Sequence, residues 1–329
     1  MGPVKGLLSG ILGLAMLASA CTSSGGASGG QSQKNSGPVV EGGDQIAAEV
    51  ASYDLAVGRE RFIVGLFTRQ NLFVDYGTAK LSFFYLGTKN SAGKPSSPAM
   101  FTTGHFISVA KSGTANPPSR PEALPASKGR GVYGARVSFD KPGFWQVKVT
   151  VDVKGMGRQS ARAAFQVFRS HEVPFPGQPA LKTDNLTMSS DAPKVAIDSR
   201  AQGNHEVPDP ALHRTTIAES IARHQPAVVV FATPVYCISR FCGPTVDMIE
   251  ALAHRYSDRA NFIHVEIWHN YRKHEINRAA ADWLYHGGDL HEPWVFLIGA
   301  NGKIVARWDN VVNASELVPY LKKLPKLKG

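Results

Sequence analysis

The sequence predicts two folded domains in series, an all-β domain followed by an α/β domain, and three observations carry that expectation. Apolar and polar residues alternate through the stretch that ends near Arg169. From about Thr216 onward, helical and extended patterns take turns. Between them, Pro174, Pro176, Gly177 and Pro179 punctuate a polar segment, residues 171–190, that reads as a linker or a wrapped entry segment. A chain of 329 residues is long enough for each half to bury its own core. A hydrophobic fraction of 43% against 19% charged residues excludes both a disordered chain and a multi-span membrane protein.

Residues 1–20 read as an export signal. Lys5 supplies the positive charge, Gly6 to Ala20 form an apolar stretch too short to span a bilayer, and Ala18-Ser19-Ala20 offers small residues for cleavage. Cys21 follows, and Leu17-Ala18-Ser19-Ala20-Cys21 resembles a bacterial lipobox, which implies lipidation at Cys21. Ala18 stands where that motif has leucine, so ordinary cleavage after Ala20 stays open. Residues 21–43 are rich in Ser and Gly and are expected to form a flexible tether with a reach of roughly 25 Å. These features predict a protein on the extracytoplasmic face of the cell membrane, held by a lipid anchor. The formal charge of +10 falls to +9 without residues 1–20 and their single Lys, and such a balance favours anionic lipid headgroups. No basic run is interleaved with aromatics, so nucleic acid is not an expected partner.

Residues 44–170 form the expected β domain. Trp145, Val147, Val149 and Val151 face one way while Gln146, Lys148 and Thr150 face the other, which defines a half-buried strand. Tyr133, Ala135, Val137 and Phe139 define another, and Asp140-Lys141-Pro142-Gly143 between them has turn residues, so a hairpin is expected. Further runs at Phe62 to Phe67, Leu81 to Leu86, Phe106 to Val109 and Ala163 to Phe168 bring the strands to at least six, enough for a two-sheet sandwich. This half resembles the immunoglobulin-like sandwiches of exported bacterial proteins, which implies a spacer or docking module. It lacks cysteine, and its sequence shows no histidine or carboxylate cluster.

Residues 191–329 form the expected α/β domain. Helices are predicted over Thr216 to His224, Gly243 to Tyr256, Asn277 to Leu284 and Ser315 to Leu324. Strands are predicted over Ala227 to Phe231, Phe262 to Trp268, Trp294 to Ile298 and Ile304 to Trp308, the last two joined through the hairpin signal Asn301-Gly302. His264 and His269 read as a strand and a loop residue. Trp268, Trp283, Trp294 and Trp308 read as packing residues.

Besides Cys21, the only cysteines are Cys237 and Cys242, after a buried apolar strand and at the start of a helix. A helix N-terminus stabilises a thiolate through its unpaired N–H groups and dipole, and Arg240 adds positive charge. The thiolate is the species that attacks disulfides. A structural disulfide closing so short a loop would restrain the unfolded chain little, so the placement favours a redox pair.

Val230-Phe231-Ala232 followed by Phe241-Cys242-Gly243-Pro244, then Glu292-Pro293-Trp294-Val295-Phe296-Leu297 and Asn301-Gly302-Lys303, resemble the thioredoxin-like superfamily in order and spacing. The resemblance implies a central sheet flanked by helices, with Pro293 as a cis-proline packed against the cysteines and helping to dock an extended substrate. Thr245 stands where thioredoxin has its second cysteine, giving CxxxxC, and Val230 stands where that family keeps a buried aspartate. Glu292 is the nearest candidate to replace that aspartate as proton shuttle.

The expected function is thiol–disulfide exchange with exported protein thiols or disulfides, requiring no cofactor and no metal. Cys242 is the expected nucleophile and Cys237 the resolving thiol, with the reverse assignment open, and Pro293 and Trp294 are the expected substrate contacts. Two alternatives stand beside it. Thr233-Pro234-Val235-Tyr236-Cys237 with Cys242-Gly243 resembles atypical peroxiredoxins, which implies peroxide reduction at Cys237 and resolution by Cys242. Soft thiolates also suit Cu(I), held by Cys237, Cys242 and a histidine such as His286 or His291, as in thioredoxin-fold copper chaperones.

Overall fold

Alternating apolar residues in the N-terminal half produce strands β1 (Ile46–Val50), β2 (Gly58–Thr68), β3 (Phe73–Asp75), β4 (Thr78–Thr88), β5 (Met100–Ser108), β6 (Gly131–Phe139), β7 (Gly143–Val153) and β8 (Gly157–Val167). The computed structural model describes residues 38–39, 45–89, 91–93, 97–109, 117–128 and 130–327. The stretches expected to form an export signal and a tether, with Cys21, lie outside the described residues, except that Pro38–Val39 pairs with Arg162 and Ala163 on β8.

The strands hydrogen-bond in one continuous path, β8-β7-β4-β5-β6-β2-β3, with β1 on β2, rather than as two separate sheets. Phe62 on β2 and Phe165 on β8 are far apart in that path, yet their ring centroids lie 5.1 Å apart. The sheet therefore doubles over on one core, into which Trp145, Val147, Val149 and Val151 all point. The hairpin expected across residues 140–143 does not form, because β4 and β5 lie between β6 and β7. Phe139 and Trp145 face each other inside the core with centroids 5.1 Å apart, so the turn carries the chain across the core instead of back along an edge. Gly143 makes the crossing at φ +136°, where a Cβ would lie 2.6 Å from the Gly87 carbonyl oxygen.

The second sheet contains β9 (Ala227–Ala232), β10 (Asn261–Glu266), β11 (Trp294–Ile298) and β12 (Ile304–Asp309) in the order β10-β9-β11-β12. β9 runs parallel to β10 and antiparallel to β11. Its unbroken apolar sequence follows from burial on both faces. Helices α2 (Cys242–Tyr256) and α4 (Ala314–Leu321) cover Val228 and Val230. Helices α1 (Ile217–Ala222) and α3 (Arg278–Leu284) cover Val229 and Phe231. Capping boxes Thr216/Glu219 and Asn313/Glu316 start α1 and α4. The strand expected to reach Trp268 stops at Glu266, and His269 lies in a separate short strand, Trp268–Asn270, rather than in a loop.

Residues 171–190 run against the second sheet. Gly177 and Ala180 donate backbone hydrogen bonds to Ile304 and Gly302, and Thr183 Oγ1 accepts from Trp283 Nε1 at 2.9 Å. A polar seam joins the two sheets. Arg61 on β2 is buried and pairs with Glu316 at 2.8 Å and Asp309 at 3.4 Å. Arg307 on β12 pairs with Asp54 at 2.8 Å and donates to His171 Nδ1 at 2.7 Å. The seam thus contains a histidine–carboxylate group, His171 with Asp54 and Glu60, that local sequence spacing did not reveal. Among the described residues no helix is long and apolar enough to cross a membrane.

Candidate functional site

β9 ends at Ala232, and residues 233–241 lead from it into α2, whose first residue is Cys242. Pro244 suits the first helical turn, where an absent N–H removes no intrahelical bond. A disulfide joins Cys237 to Cys242, with Cα atoms 6.0 Å apart. The two sulfurs are not equivalent. Cys242 is 0% exposed and belongs to the core under α2, whereas Cys237 is half-buried. The Cys242 backbone N–H donates to Cys237 Sγ at 3.3 Å, and Ser239 Oγ lies 3.3 Å from the same sulfur. The helix N-terminus expected to serve Cys242 is therefore aimed at Cys237. A residue at the first helical position cannot easily turn its own side chain onto its own N–H, but the preceding loop can bring another side chain there.

Glu292 completes the group: one of its carboxylate oxygens and the two sulfurs all lie within 4.8 Å of one another. It is 9% exposed, and burial pushes its pKa up to about 8; the Ile238 amide opposes the shift and the Glu266 carboxylate adds to it. At neutral pH Glu292 carries a proton beside the disulfide. The Glu292–Pro293 peptide bond is cis, and the Glu292 carbonyl accepts from Ser239 Oγ at 3.3 Å and from the Tyr53 hydroxyl at 2.9 Å. Tyr53 comes from the connection between β1 and β2, and its ring stacks on His291 with centroids 4.9 Å apart. Phe241, next to Cys242, packs against the cluster of Ile63, Val132 and Val311. The β-rich half thus forms part of the wall of the site and is more than a spacer. Tyr53 escaped the sequence reading because it and Glu292 are 239 positions apart and no local motif contains both.

Trp294, expected to face substrate, is 2% exposed. It fills the space between Tyr53, Phe296 and the Arg307 guanidinium, so it offers no free face. Pro293 is also buried. The exposed apolar side chains of the loop are Val235 and Ile238, the latter 70% exposed. Tyr236 stacks on Tyr271 with centroids 3.9 Å apart beside them. Val230 is core, opposite Val295. Among the described residues the donor group around the sulfurs is completed by Glu292 and not by His286 or His291. His286 Nε2 lies 3.2 Å from the Trp283 carbonyl, and His291 is stacked on Tyr53.

No family model, no curated protein and no solved structure matches this chain.

Proposed function

We propose that the protein is a thiol–disulfide oxidoreductase in which Cys237 is the sulfur that exchanges with substrate and Cys242 the sulfur that resolves. The observation that carries this reading is the asymmetry of the disulfide: Cys237 is only half-buried and its sulfur accepts the helix N–H, whereas Cys242 is sealed in the core. The four-stranded sheet with helices on both faces supports a thioredoxin-like reading of residues 191–329. The doubled-over sheet supports an immunoglobulin-like reading of the first half.

In the oxidising direction, a substrate thiolate attacks Cys237 Sγ and the Cys237–Cys242 bond breaks. Cys242 leaves as a thiolate and takes the proton held by Glu292. A second substrate thiolate attacks the substrate sulfur of the mixed disulfide and releases Cys237 as a thiolate beside the Cys242 amide. The substrate loses two electrons and gains a disulfide, and the protein gains two electrons and becomes a dithiol. Reduction of a substrate disulfide follows the same steps in reverse, and the relative potentials of the two couples set the direction. Val235 and Ile238 give a protein substrate apolar contact beside Cys237. Exported proteins at the membrane surface are the proposed substrates, in keeping with the lipobox-like site at Cys21.

The accessibility of Cys237 also serves the peroxidase reading. There the Cys237 thiolate takes an oxygen from peroxide to give a sulfenic acid and an alcohol or water, and Cys242 condenses with the sulfenic acid, expelling water. The test is equilibration of the purified protein in glutathione buffers with thiol counting, beside a peroxide-consumption assay. Reversible interconversion of two thiols and one disulfide supports exchange. A pair that stays oxidised across the glutathione range, or fast peroxide turnover, contradicts it.

A further inference from the structure

Below the disulfide loop lies a second cluster that the exchange chemistry does not use. Asp198, His213 and His264 are fully buried and come from separate parts of the chain. Asp198 precedes the turn Ser199–Asn204, His213 ends the turn Pro210–His213, and His264 is on β10. Asp198 Oδ2 lies 3.3 Å from His264 Nδ1 and 3.5 Å from His213 Nε2, and the three donor atoms all lie within 4.8 Å of one another.

The hydrogen positions are constrained. His264 Nε2 is 3.1 Å from the Ala232 carbonyl, which can only accept, so Nε2 carries hydrogen and Nδ1 is the ring nitrogen turned toward Asp198. Neither ring nitrogen of His213 makes a hydrogen bond, nor does His264 Nδ1. Arg200 Nη2 occupies one side of Asp198 Oδ2 at 2.7 Å, and the remaining lone pair faces both rings. The separations are longer than the roughly 2.9 Å of an N–H···O bond. They match instead the roughly 3.3–3.4 Å between ligand atoms that each sit about 2.0–2.1 Å from one tetrahedral ion.

We propose that Asp198 Oδ2, His213 Nε2 and His264 Nδ1 bind one Zn²⁺. The donor set suits zinc: it has no thiolate to select Cu(I) and too few oxygens for Mg²⁺ or Ca²⁺. The Ala232 carbonyl on His264 and the Arg200 guanidinium on Asp198 orient the ligands from behind. The site bears on the cysteine loop through Ser199, whose Oγ accepts from the Val235 N–H at 3.2 Å and whose N–H donates to Glu266 at 2.7 Å. The ion braces the floor of the loop and takes no part in sulfur exchange.

The test uses the full chain, purified without chelator, dialysed against ZnCl₂ and then against metal-free buffer, with zinc measured by mass spectrometry. One zinc per chain is expected, retained in the Cys237→Ser/Cys242→Ser double variant and lost in His213→Gln. Because His213→Gln can also disturb folding, Co²⁺ is loaded into the unaltered reduced protein as a second measurement. Visible d–d bands without thiolate charge-transfer absorption are expected. Absence of zinc from the unaltered protein, loss of zinc in the double cysteine variant, or thiolate charge-transfer bands with Co²⁺ would each overturn the proposal. The exchange assays run in chelator, so a failure here leaves the reading of the disulfide standing.

Discussion

The backbone amide of Cys242 donates to the sulfur of Cys237 across 3.3 Å, so the helix that begins at one cysteine stabilises a thiolate on the other. In Cys242→Ser, with the helix start intact, the Cys237 thiol should titrate below the ordinary value of about 8.5. The pH dependence of its alkylation by iodoacetamide measures this. A midpoint at or above the ordinary value would contradict the assignment.

Glu292 should make the oxidised protein less stable as pH rises. Its pKa is raised from 4.5 to about 8, so the folded state binds the proton more tightly than the unfolded state does. That contribution is fully present below the unfolded value and is lost as pH rises through the folded value. Glu292→Gln should flatten the fall, and the difference should be on the order of a few kcal/mol by pH 9. Urea denaturation of both oxidised proteins between about pH 5 and 9 is the check. Parallel curves would show that Glu292 is already ionised in the folded protein.

Tyr53→Phe removes the hydroxyl that donates to the Glu292 carbonyl and keeps the ring on His291. The expected loss of stability is about 1 kcal/mol, with the rate of disulfide reduction by dithiothreitol raised several-fold as the Glu292–Pro293 segment loosens. Unchanged reduction kinetics would mean that the β-rich half does not bear on the site.

Arg61 is held by Glu316, Asp309 and the Val311 carbonyl, all from the second half of the chain. Arg61→Ala leaves those carboxylates without their partner and should cost roughly 3–5 kcal/mol. Because the seam couples the halves, the unaltered protein should unfold in one transition monitored by circular dichroism and by tryptophan fluorescence. Two separate transitions would show that the halves are independent.

Cys21 gives a prediction from sequence alone. Cys21→Ser should move the protein from the membrane fraction to the soluble fraction, as followed by fractionation and immunoblotting. Unchanged retention on the membrane would count against lipidation.

Much of this architecture was legible because local patterns report burial. The alternation at Trp145, Val147, Val149 and Val151 identified the buried face, and the apolar run from Ala227 to Phe231 identified a buried strand, which extends to Ala232. Partner strands were not legible at residues 139–145, because a hairpin and a crossing bury the same side chains. At the site, the pairing of Cys237 with Cys242 followed from their common loop, but the direction of the Cys242 N–H depended on how that loop folds back. Tyr53, Arg61 and the trio of Asp198, His213 and His264 are assembled across long sequence separations, where no spacing rule applies.

The most direct test of the central claim is mixed-disulfide trapping with single-cysteine variants, using a disulfide-bonded protein substrate and non-reducing electrophoresis. Cys242→Ser should accumulate a covalent complex through Cys237, because the resolving thiol is gone and the accessible thiolate remains. Cys237→Ser should trap little, because Cys242 is sealed beneath the loop. Trapping by Cys237→Ser and not by Cys242→Ser would reverse the assignment, and trapping by neither would contradict exchange with protein substrates.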